Sequence, residues 1–201
     1  RGTVLFNGRL GSKWRQYRIL ARDPETAPYL PATRLLRSGR DLTAIVSRFG
    51  GAYVKPSRGG FGKGIWRIER RQTGYDVRRT DGRGRSHRLG RMSLRGAYRA
   101  IRRYGRTYIV QQRLHLIRWR GSIADVRVLV QKDVHGRWDV TGVGVRVGRG
   151  ATIVSNLAGG GRAETLDTVL GEVFADRPVV IDEIKALVPQ LALRLAARLE
   201  R

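Results

Sequence analysis

Several residue types are absent or scarce, and each absence excludes a class of protein. The 201-residue chain has no cysteine, which excludes a disulfide scaffold, a thiol nucleophile and a cysteine-ligated zinc site. Its three histidines, His87, His115 and His135, do not form a His-x-x-x-His metal motif. It contains no apolar run of about 18 residues and no signal-like segment. We therefore expect a soluble, cytoplasmic protein without a membrane span or an encoded export route.

Negative charge is also scarce. Forty-one Lys and Arg against sixteen Asp and Glu give a formal net charge of +25, which attracts phosphate-bearing partners of many kinds. Residues 151–201 hold six basic and seven acidic side chains, so residues 1–150 carry the whole excess. The dominance of arginine over lysine is as typical of a genome-wide composition bias as it is of a protein that binds phosphate. Lysine is rare, and two of the five, Lys55 and Lys63, flank one glycine-rich loop.

The order of predicted elements is typical of an α+β fold, because hairpins outnumber alternating βαβ units. We predict strands at 52–55, 65–68, 75–78, 107–112, 125–130 and 138–147. We predict helices at 41–49, 93–104, 166–174 and from 181 onward, and a short one capped by Thr33. Pro189 predicts a kink or break in the last helix, and residues 80–91 are predicted to be a mobile connection.

The glycine-rich loop between the first two strands is the most informative segment. Its glycines allow backbone N–H groups to converge on an anion, while Lys55 precedes the loop and Arg58 and Lys63 could close over phosphates. Gly64 follows Lys63 where a P-loop requires Ser or Thr, so this is not a Walker A motif. A glycine flap formed by a hairpin, as in kinases, fits better. A flexible surface hairpin is the alternative.

A second group of polar residues lies on two later strands. Asp125 and Arg127 are two residues apart and therefore face the same side of their strand, as do Gly144 and Arg146. An inward-facing arginine needs an anionic partner. That partner is either Asp125 itself or a bound triphosphate or acyl-phosphate. Asn156, before a glycine cluster, offers a further polar group.

These segments occur in a recognisable order. The order is 53–57, 59–64, 109–112, 125–130, Arg146 and 155–160, preceded by a leading segment that includes 6–7, 13–14 and 30–33. This set resembles the ATP-grasp proteins over nearly the whole chain. More narrowly, it resembles the YheC/YheD-type, endospore coat-associated group.

The resemblance implies two α+β lobes whose antiparallel sheets clasp a nucleotide. The implied division is a leading segment at 1–50, a lobe with the glycine flap at 51–115, and a lobe with catalytic strands and C-terminal helices at 116–201. The implied nucleotide-binding residues are Lys55, Ser57, Gly59, Gly60, Gly62, Lys63, Gly64, Gln111, Gln112, Arg113, Leu114 and Asp125. The implied catalytic residues are Arg127, Arg146 and Asn156.

The resemblance also implies ATP and Mg²⁺ as cofactors. Residues 111–114 would form the hinge beside adenine, with Gln112 where many relatives place an acidic residue. The Glu-x-Asn magnesium motif of ATP-grasp ligases is absent. We therefore expect the C-terminal part of the fold, with the metal ligands, beyond Arg201, and we name no metal ligand in this chain.

Two functions remain open. The first is an ATP-dependent carboxylate–amine (or –thiol) ligase that acts through an acyl-phosphate on unidentified carboxylate and amine substrates. The second is a non-catalytic basic module that binds nucleic acid or an anionic spore or wall polymer, and the net charge favours it. An arginine-rich predicted helix favours it too, with Arg95, Arg99, Arg102, Arg103 and Arg106 mostly on one broad face. Either function is compatible with a cytoplasmic or spore-associated protein.

Overall fold

The computed structural model describes residues 11–148 and 160–200, which form two antiparallel sheets with helices packed against them. The helices are α1 (Lys13–Leu20), α2 (Gly39–Phe49), α3 (Leu94–Arg102), α4 (Leu166–Val173) and α5 (Pro178–Glu200), with a 3₁₀ helix at Ala27–Tyr29. The strands are β1 (Thr33–Leu35), β2 (Gly51–Pro56), β3 (Trp66–Arg70), β4 (Tyr75–Thr80), β5 (Ser86–Met92), β6 (Tyr108–Gln112), β7 (Arg118–Trp119), β8 (Ser122–Lys132), β9 (Trp138–Val147) and β10 (Arg162–Glu164). The predicted α+β class is confirmed.

The first sheet has six strands in the order β1-β6-β2-β3-β4-β5. Side chains alternate across a strand, so Ala52 and Val54 of β2 are buried on one face while Tyr53 and Lys55 occupy the other. The buried face packs against α2 and α3, with Ile45 and Ile101 among the core residues. Lys55 is thereby placed on the face that these helices leave uncovered.

The second sheet has four strands in the order β10-β9-β8-β7. Ala124 of β8 and Val145 and Val147 of β9 are buried in a core with Trp119 and with Val169 of α4. By the same alternation, Asp125, Arg127 and Arg146 occupy the opposite face. Each sheet therefore has one apolar face under helices and one polar face directed elsewhere.

Residues of the predicted leading segment contribute a strand to the first sheet and a helix to its core. Strand β1 pairs with β6, and Leu42, Ile45 and Val46 of α2 belong to the same core as Ala52 and Val54. Helix α2 begins after Ser38, which forms a capping box with Asp41, and it ends at Gly50, whose φ is 70°. The division at 50, 115 and 201 remains a proposal.

Two predictions of local structure are wrong. Thr33 does not cap a helix, because Thr33 and Leu35 pair with Gln111 and Ile109 of β6 and leave Ser38 to begin the next helix. The predicted mobile connection, residues 80–91, contains most of β5, which pairs with β4 and forms the edge of the first sheet. An edge strand does not need an apolar period, and charge protects it from pairing with another chain.

Helix α5 continues through Pro189, so this proline does not break the helix. The cost of an internal proline is local, because it removes one backbone hydrogen bond and crowds one carbonyl. Among the described residues, no helix combines the length and the apolar content needed to cross a membrane.

Candidate functional site

A cavity of about 920 Å³ lies between the polar faces of the two sheets. We call it the inter-sheet cavity. Its volume falls within the roughly 300–1,000 Å³ of typical small-molecule sites. The predicted site residues that line it are Lys55, Gly60, Gly62, Gln111, Gln112, Leu114, Asp125, Arg127 and Arg146. Residues far apart in the sequence are thus brought to one place.

A chain of hydrogen bonds holds Lys55 in position. Lys55 Nζ donates to Gln111 Oε1 at 2.6 Å, and Gln111 Nε2 donates to Thr33 Oγ1 at 3.0 Å. Thr33 Oγ1 in turn donates to the carbonyl oxygen of Pro31 at 2.8 Å. Thr33 of β1 therefore orients Lys55 through Gln111. No pattern in the sequence indicated this contribution of Thr33.

The ammonium group of Lys55 lies in an environment that disfavours its charge. Burial lowers the pKa of Lys55, the nearby positive charge of Lys13 lowers it further, and Asp125 partly opposes both. Burial also lowers the pKa of Lys13. Within the described residues, no carboxylate forms an ion pair with Lys55. A partly buried cation without such a partner is suited to an anionic ligand.

The glycine loop, residues 57–64, is held at its beginning by α1. Lys13 Nζ donates to the carbonyl oxygens of Pro56 (3.1 Å) and Gly59 (2.5 Å). The backbone N–H of Lys13 also donates to the carbonyl oxygen of Ser57 at 2.8 Å. Ser57 itself is buried. The start of the loop is therefore attached to the body of the protein.

The end of the glycine loop is held by Thr80, a buried residue at the end of β4. Thr80 Oγ1 donates to the carbonyl oxygen of Gly62 at 2.6 Å and accepts from the backbone N–H of Ile65 at 2.8 Å. Between the two attachments, Phe61 takes a left-handed conformation (φ 58°) and is 73% exposed at the rim of the cavity. The loop has fixed ends and an exposed tip, as a flap requires.

The side chains of the predicted hinge lie on opposite sides of the chain. Gln112 and Leu114 line the inter-sheet cavity. Gln112 Oε1 accepts from the backbone N–H of Ala32 at 3.2 Å, so its amide nitrogen remains for a ligand. The structure does not bring Arg113 to this cavity, because its guanidinium donates to Glu69 Oε1 at 2.8 Å.

The opposite wall of the cavity carries an ion pair. Arg146 Nε donates to Asp125 Oδ1 at 2.7 Å, and Arg146 Nη2 donates to Asp125 Oδ2 at 2.9 Å. The sequence left two anionic partners open for Arg146, Asp125 and a bound phosphate, and in the structure Arg146 pairs with Asp125. Arg127 is exposed and forms no ion pair with the described residues. The cavity lining therefore has three cations, Lys55, Arg127 and Arg146, and one carboxylate.

Some predicted site residues do not line the cavity. They are Ser57, Gly59, Lys63, Gly64 and Arg113; the first four belong to the glycine loop. Lys63 is exposed, with Nζ 5.9 Å from the centre of the Phe61 ring. Asn156 lies outside the described residues, as do residues 6–7 and 155–159 of the resemblance.

Exposed apolar side chains also line the cavity, and sequence reasoning missed most of them. Phe61, Leu114, Leu116 and Leu129 are all exposed large hydrophobic residues, and all four line the inter-sheet cavity. Their clustering in one concave site is typical of a binding surface. The repetition of Leu114 and Leu116 at a spacing of two is the signal that could have identified Leu116.

The described residues contain no group of three or more His, Asp or Glu side chains that could hold a metal ion. Asp125 is the one carboxylate that lines the inter-sheet cavity within this part of the chain, and Arg146 occupies both of its oxygens. The described residues therefore do not provide a magnesium site.

Comparison with known proteins identifies the family. The family described as YheC/D-like ATP-grasp matches residues 2–201. Endospore coat-associated protein YheD of Bacillus subtilis (strain 168) is 28% identical over 184 residues, which are 90% of this chain and 40% of YheD. Endospore coat-associated protein YheC of the same organism is 22% identical over 179 residues, which are 88% of this chain and 49% of YheC. The chain thus spans less than half the length of either relative.

Proposed function

This chain belongs to the YheC/D-like ATP-grasp family, and from that premise we propose that its inter-sheet cavity binds ATP. The observation that carries the proposal is the combination of four exposed apolar side chains with an excess of cations in one cavity. A nucleotide has this same combination, an apolar base joined to a multiply charged phosphate chain.

Lys55 is the proposed principal contact of the phosphates. Its position on β2 is fixed by Gln111, so little side-chain entropy is lost when it meets an anion. The negative charge of a triphosphate would compensate the cost of burying the ammonium group. The glycine loop, attached at both ends, would close over the phosphates with Lys63 at its exposed surface.

The proposed reaction is that of a carboxylate–amine (or –thiol) ligase. A carboxylate oxygen of the substrate attacks the γ-phosphorus of ATP, and ADP leaves with the electron pair of the broken P–O bond. The nitrogen or sulfur of the second substrate then attacks the acyl carbon, and inorganic phosphate and a proton are released. Arg127 would stabilise the transferred phosphoryl group electrostatically, and Asn156 remains a proposed neighbour of the same centre.

Arg146 has a more limited part in this proposal. Because both of its hydrogen bonds go to Asp125, it positions this carboxylate and contributes less free charge to the phosphates than Lys55 or Arg127. Magnesium is the cation that normally neutralises nucleotide phosphates, and we propose that it accompanies ATP, with no ligand for it assigned among the described residues.

A non-catalytic polyanion-binding function is the second candidate. It is favoured by α3 and the residues after it, where five arginines are exposed and form no ion pair within the described part of the chain. They are Arg95, Arg99, Arg102, Arg103 and Arg106. Like charges at this spacing repel one another and favour a negatively charged neighbour. The names of the relatives associate them with the endospore coat, and we propose a cytoplasmic or spore-associated location for this protein.

Calorimetric titration of the 201-residue chain with ATP tests the first function. We expect binding that Lys55→Met abolishes or weakens at least tenfold, since an ion pair with phosphate typically contributes about 1.5–3 kcal/mol. Lys185→Met is the control, because it removes the same charge from an exposed residue that pairs with Asp167 outside the cavity. Absence of ATP binding, or equal losses in both variants, would contradict the proposal.

A further inference from the structure

A second cavity, of about 690 Å³, lies beside the β3–β4 turn and the end of the hinge. We call it the back cavity. Phe49 and Gly50, at the end of α2, contribute to its wall. Its charged and titratable side chains are Glu69, Arg70, Arg71, Arg91, Arg113 and His115. No residue lines both cavities.

The two cavities share the same stretch of backbone. Gln112, Leu114 and Leu116 line the inter-sheet cavity, whereas Arg113 and His115 line the back cavity. Such alternation is expected where successive side chains point to opposite sides of the chain. Arg113, which the resemblance places among the nucleotide-binding residues, therefore lines the back cavity and not the inter-sheet cavity.

The back cavity has a large excess of positive charge. Glu69 accepts hydrogen bonds from Arg113 at 2.8 Å and from Arg71 at 3.1 Å, and also from Arg67 outside the lining at 2.6 Å. Arg70 and Arg91 form no ion pair with the described residues. Four guanidinium groups thus line the cavity with one carboxylate among them.

Arg113 is held in place before any ligand arrives. Its side chain crosses Gly51, where an added Cβ would lie only 3.2 Å from Arg113 Cδ and 3.0 Å from the carbonyl oxygen of Ile68. A side chain larger than hydrogen at position 51 would displace it. Together with the bond to Glu69, this packing fixes the guanidinium and lowers the entropic cost of binding.

We propose that the back cavity binds a small phosphate-type anion with at least two negative charges, such as a diphosphate group. Guanidinium groups pair two N–H donors with two phosphate oxygens, and clusters of arginine are a recurrent means of recognising phosphate. An anion with a single negative charge would leave most of the three excess positive charges of the back cavity uncompensated. Arg70 and Arg91 form no ion pair with the described residues and supply N–H donors to the anion, although Arg91 Nη1 also donates to Thr73 Oγ1 at 3.2 Å. Glu69 holds Arg71 and Arg113 at the site.

Inorganic pyrophosphate is the probe that tests this site. We expect calorimetric titration of the 201-residue chain to detect binding that the double variant Arg70→Gln/Arg91→Gln weakens about tenfold or more. The matched control, Arg99→Gln/Arg102→Gln, removes the same charge from exposed positions of α3 outside both cavities. We expect the control to retain its affinity within about twofold. Equal losses in the two double variants, or no binding, would overturn the proposal.

Two further titrations identify the site and the chemistry. Binding of pyrophosphate should persist in Lys55→Met, because Lys55 lines the other cavity. Loss of pyrophosphate binding in Lys55→Met would assign the anion to the inter-sheet cavity and overturn the proposal for the back cavity. Failure of ATP to bind would contradict only the proposed nucleotide site. Citrate, which offers several carboxylates, should bind more weakly than pyrophosphate, and equal or tighter binding of citrate would contradict phosphate recognition. A single cooperative thermal unfolding transition in each variant verifies that the variant is folded.

Discussion

At the scale of single residues, Lys55 combines a proposed function with a cost in stability. Its pKa is lowered chiefly by burial, which means that the folded protein disfavours the charge that the unfolded chain carries freely. A lysine with a depressed pKa destabilises the folded state at pH values where it is charged in both states. The cost diminishes as the pH rises and the folded protein releases the proton first.

Lys55→Met should therefore not lower the midpoint of thermal unfolding at neutral pH, and we expect a small increase. Methionine keeps the length of the apolar chain and removes the buried charge, although Gln111 Oε1 loses its donor. Differential scanning calorimetry without nucleotide measures the effect. A decrease of several degrees would mean that the ammonium group stabilises the free protein, and would contradict our account of its pKa.

The wall formed by Asp125 and Arg146 shows what the sequence could predict about single residues. A period of two places Asp125 and Arg127 on one face of β8, and Gly144 and Arg146 on one face of β9. Direct pairing of Asp125 with Arg146 depends on the register of the two strands. Sequence periodicity does not determine that register, so the sequence alone could not decide whether Arg146 pairs with Asp125 or with a bound phosphate.

At the scale of elements, the glycine loop depends on residues outside itself. Its beginning is bound by Lys13 of α1 and its end by Thr80 of β4. The sequence indicated the loop correctly through its glycines, but a pattern of glycines does not reveal which distant side chains hold the ends. Thr80 was in fact assigned to the start of a mobile connection.

Thr80→Val should loosen the end of the loop. The substitution preserves shape, removes the hydrogen bonds of the hydroxyl group to Gly62 and Ile65, and leaves the Ile65 N–H without its partner, at a cost of about 1–3 kcal/mol. We expect a lower free energy of unfolding by chemical denaturation, together with weaker ATP binding. Thr43→Val is the control, because Thr43 is exposed on α2 and is not part of the loop. Equal changes in the free energy of unfolding and in ATP binding in the two variants would contradict the conclusion that Thr80 holds the end of the glycine loop.

Strands β1 and β5 show why other elements were mispredicted. Strand β1 is three residues long, and its conformation comes from pairing with β6. Strand β5 is at the edge of the sheet, and its largely exposed residues lack an alternating apolar pattern. Strand β9 was predicted with the correct bounds because burial of one face imposes the period on the sequence. Strand β8 extends beyond the predicted 125–130 at both ends.

At the scale of the whole molecule, the net charge of +25 allows two kinds of anion binding that salt can separate. Binding of a nucleic acid releases many counterions and weakens steeply as salt increases, whereas a ligand enclosed by a few side chains is less affected. Raising the salt concentration from about 50 to 200 mM should weaken the binding of an oligonucleotide far more than the binding of ATP. Fluorescence anisotropy and calorimetry measure the two affinities.

The variant Arg99→Gln/Arg102→Gln extends this test to the surface of α3. It should weaken oligonucleotide binding and leave ATP binding unchanged, because neither arginine lines the inter-sheet cavity. Equal salt dependence of the two ligands, or equal loss in this variant, would mean that ATP is held by general attraction to the basic surface.

If the polar faces of the two sheets enclose a nucleotide, a crystal structure of the chain with a non-hydrolysable ATP analogue will show the analogue between them. We expect the base to contact Leu114 or Leu116 and the phosphates to lie within hydrogen-bonding distance of Lys55 Nζ beneath the glycine loop. Electron density for the analogue at another surface, or an inter-sheet cavity without the analogue at saturating concentration, would overturn the proposal of ATP binding.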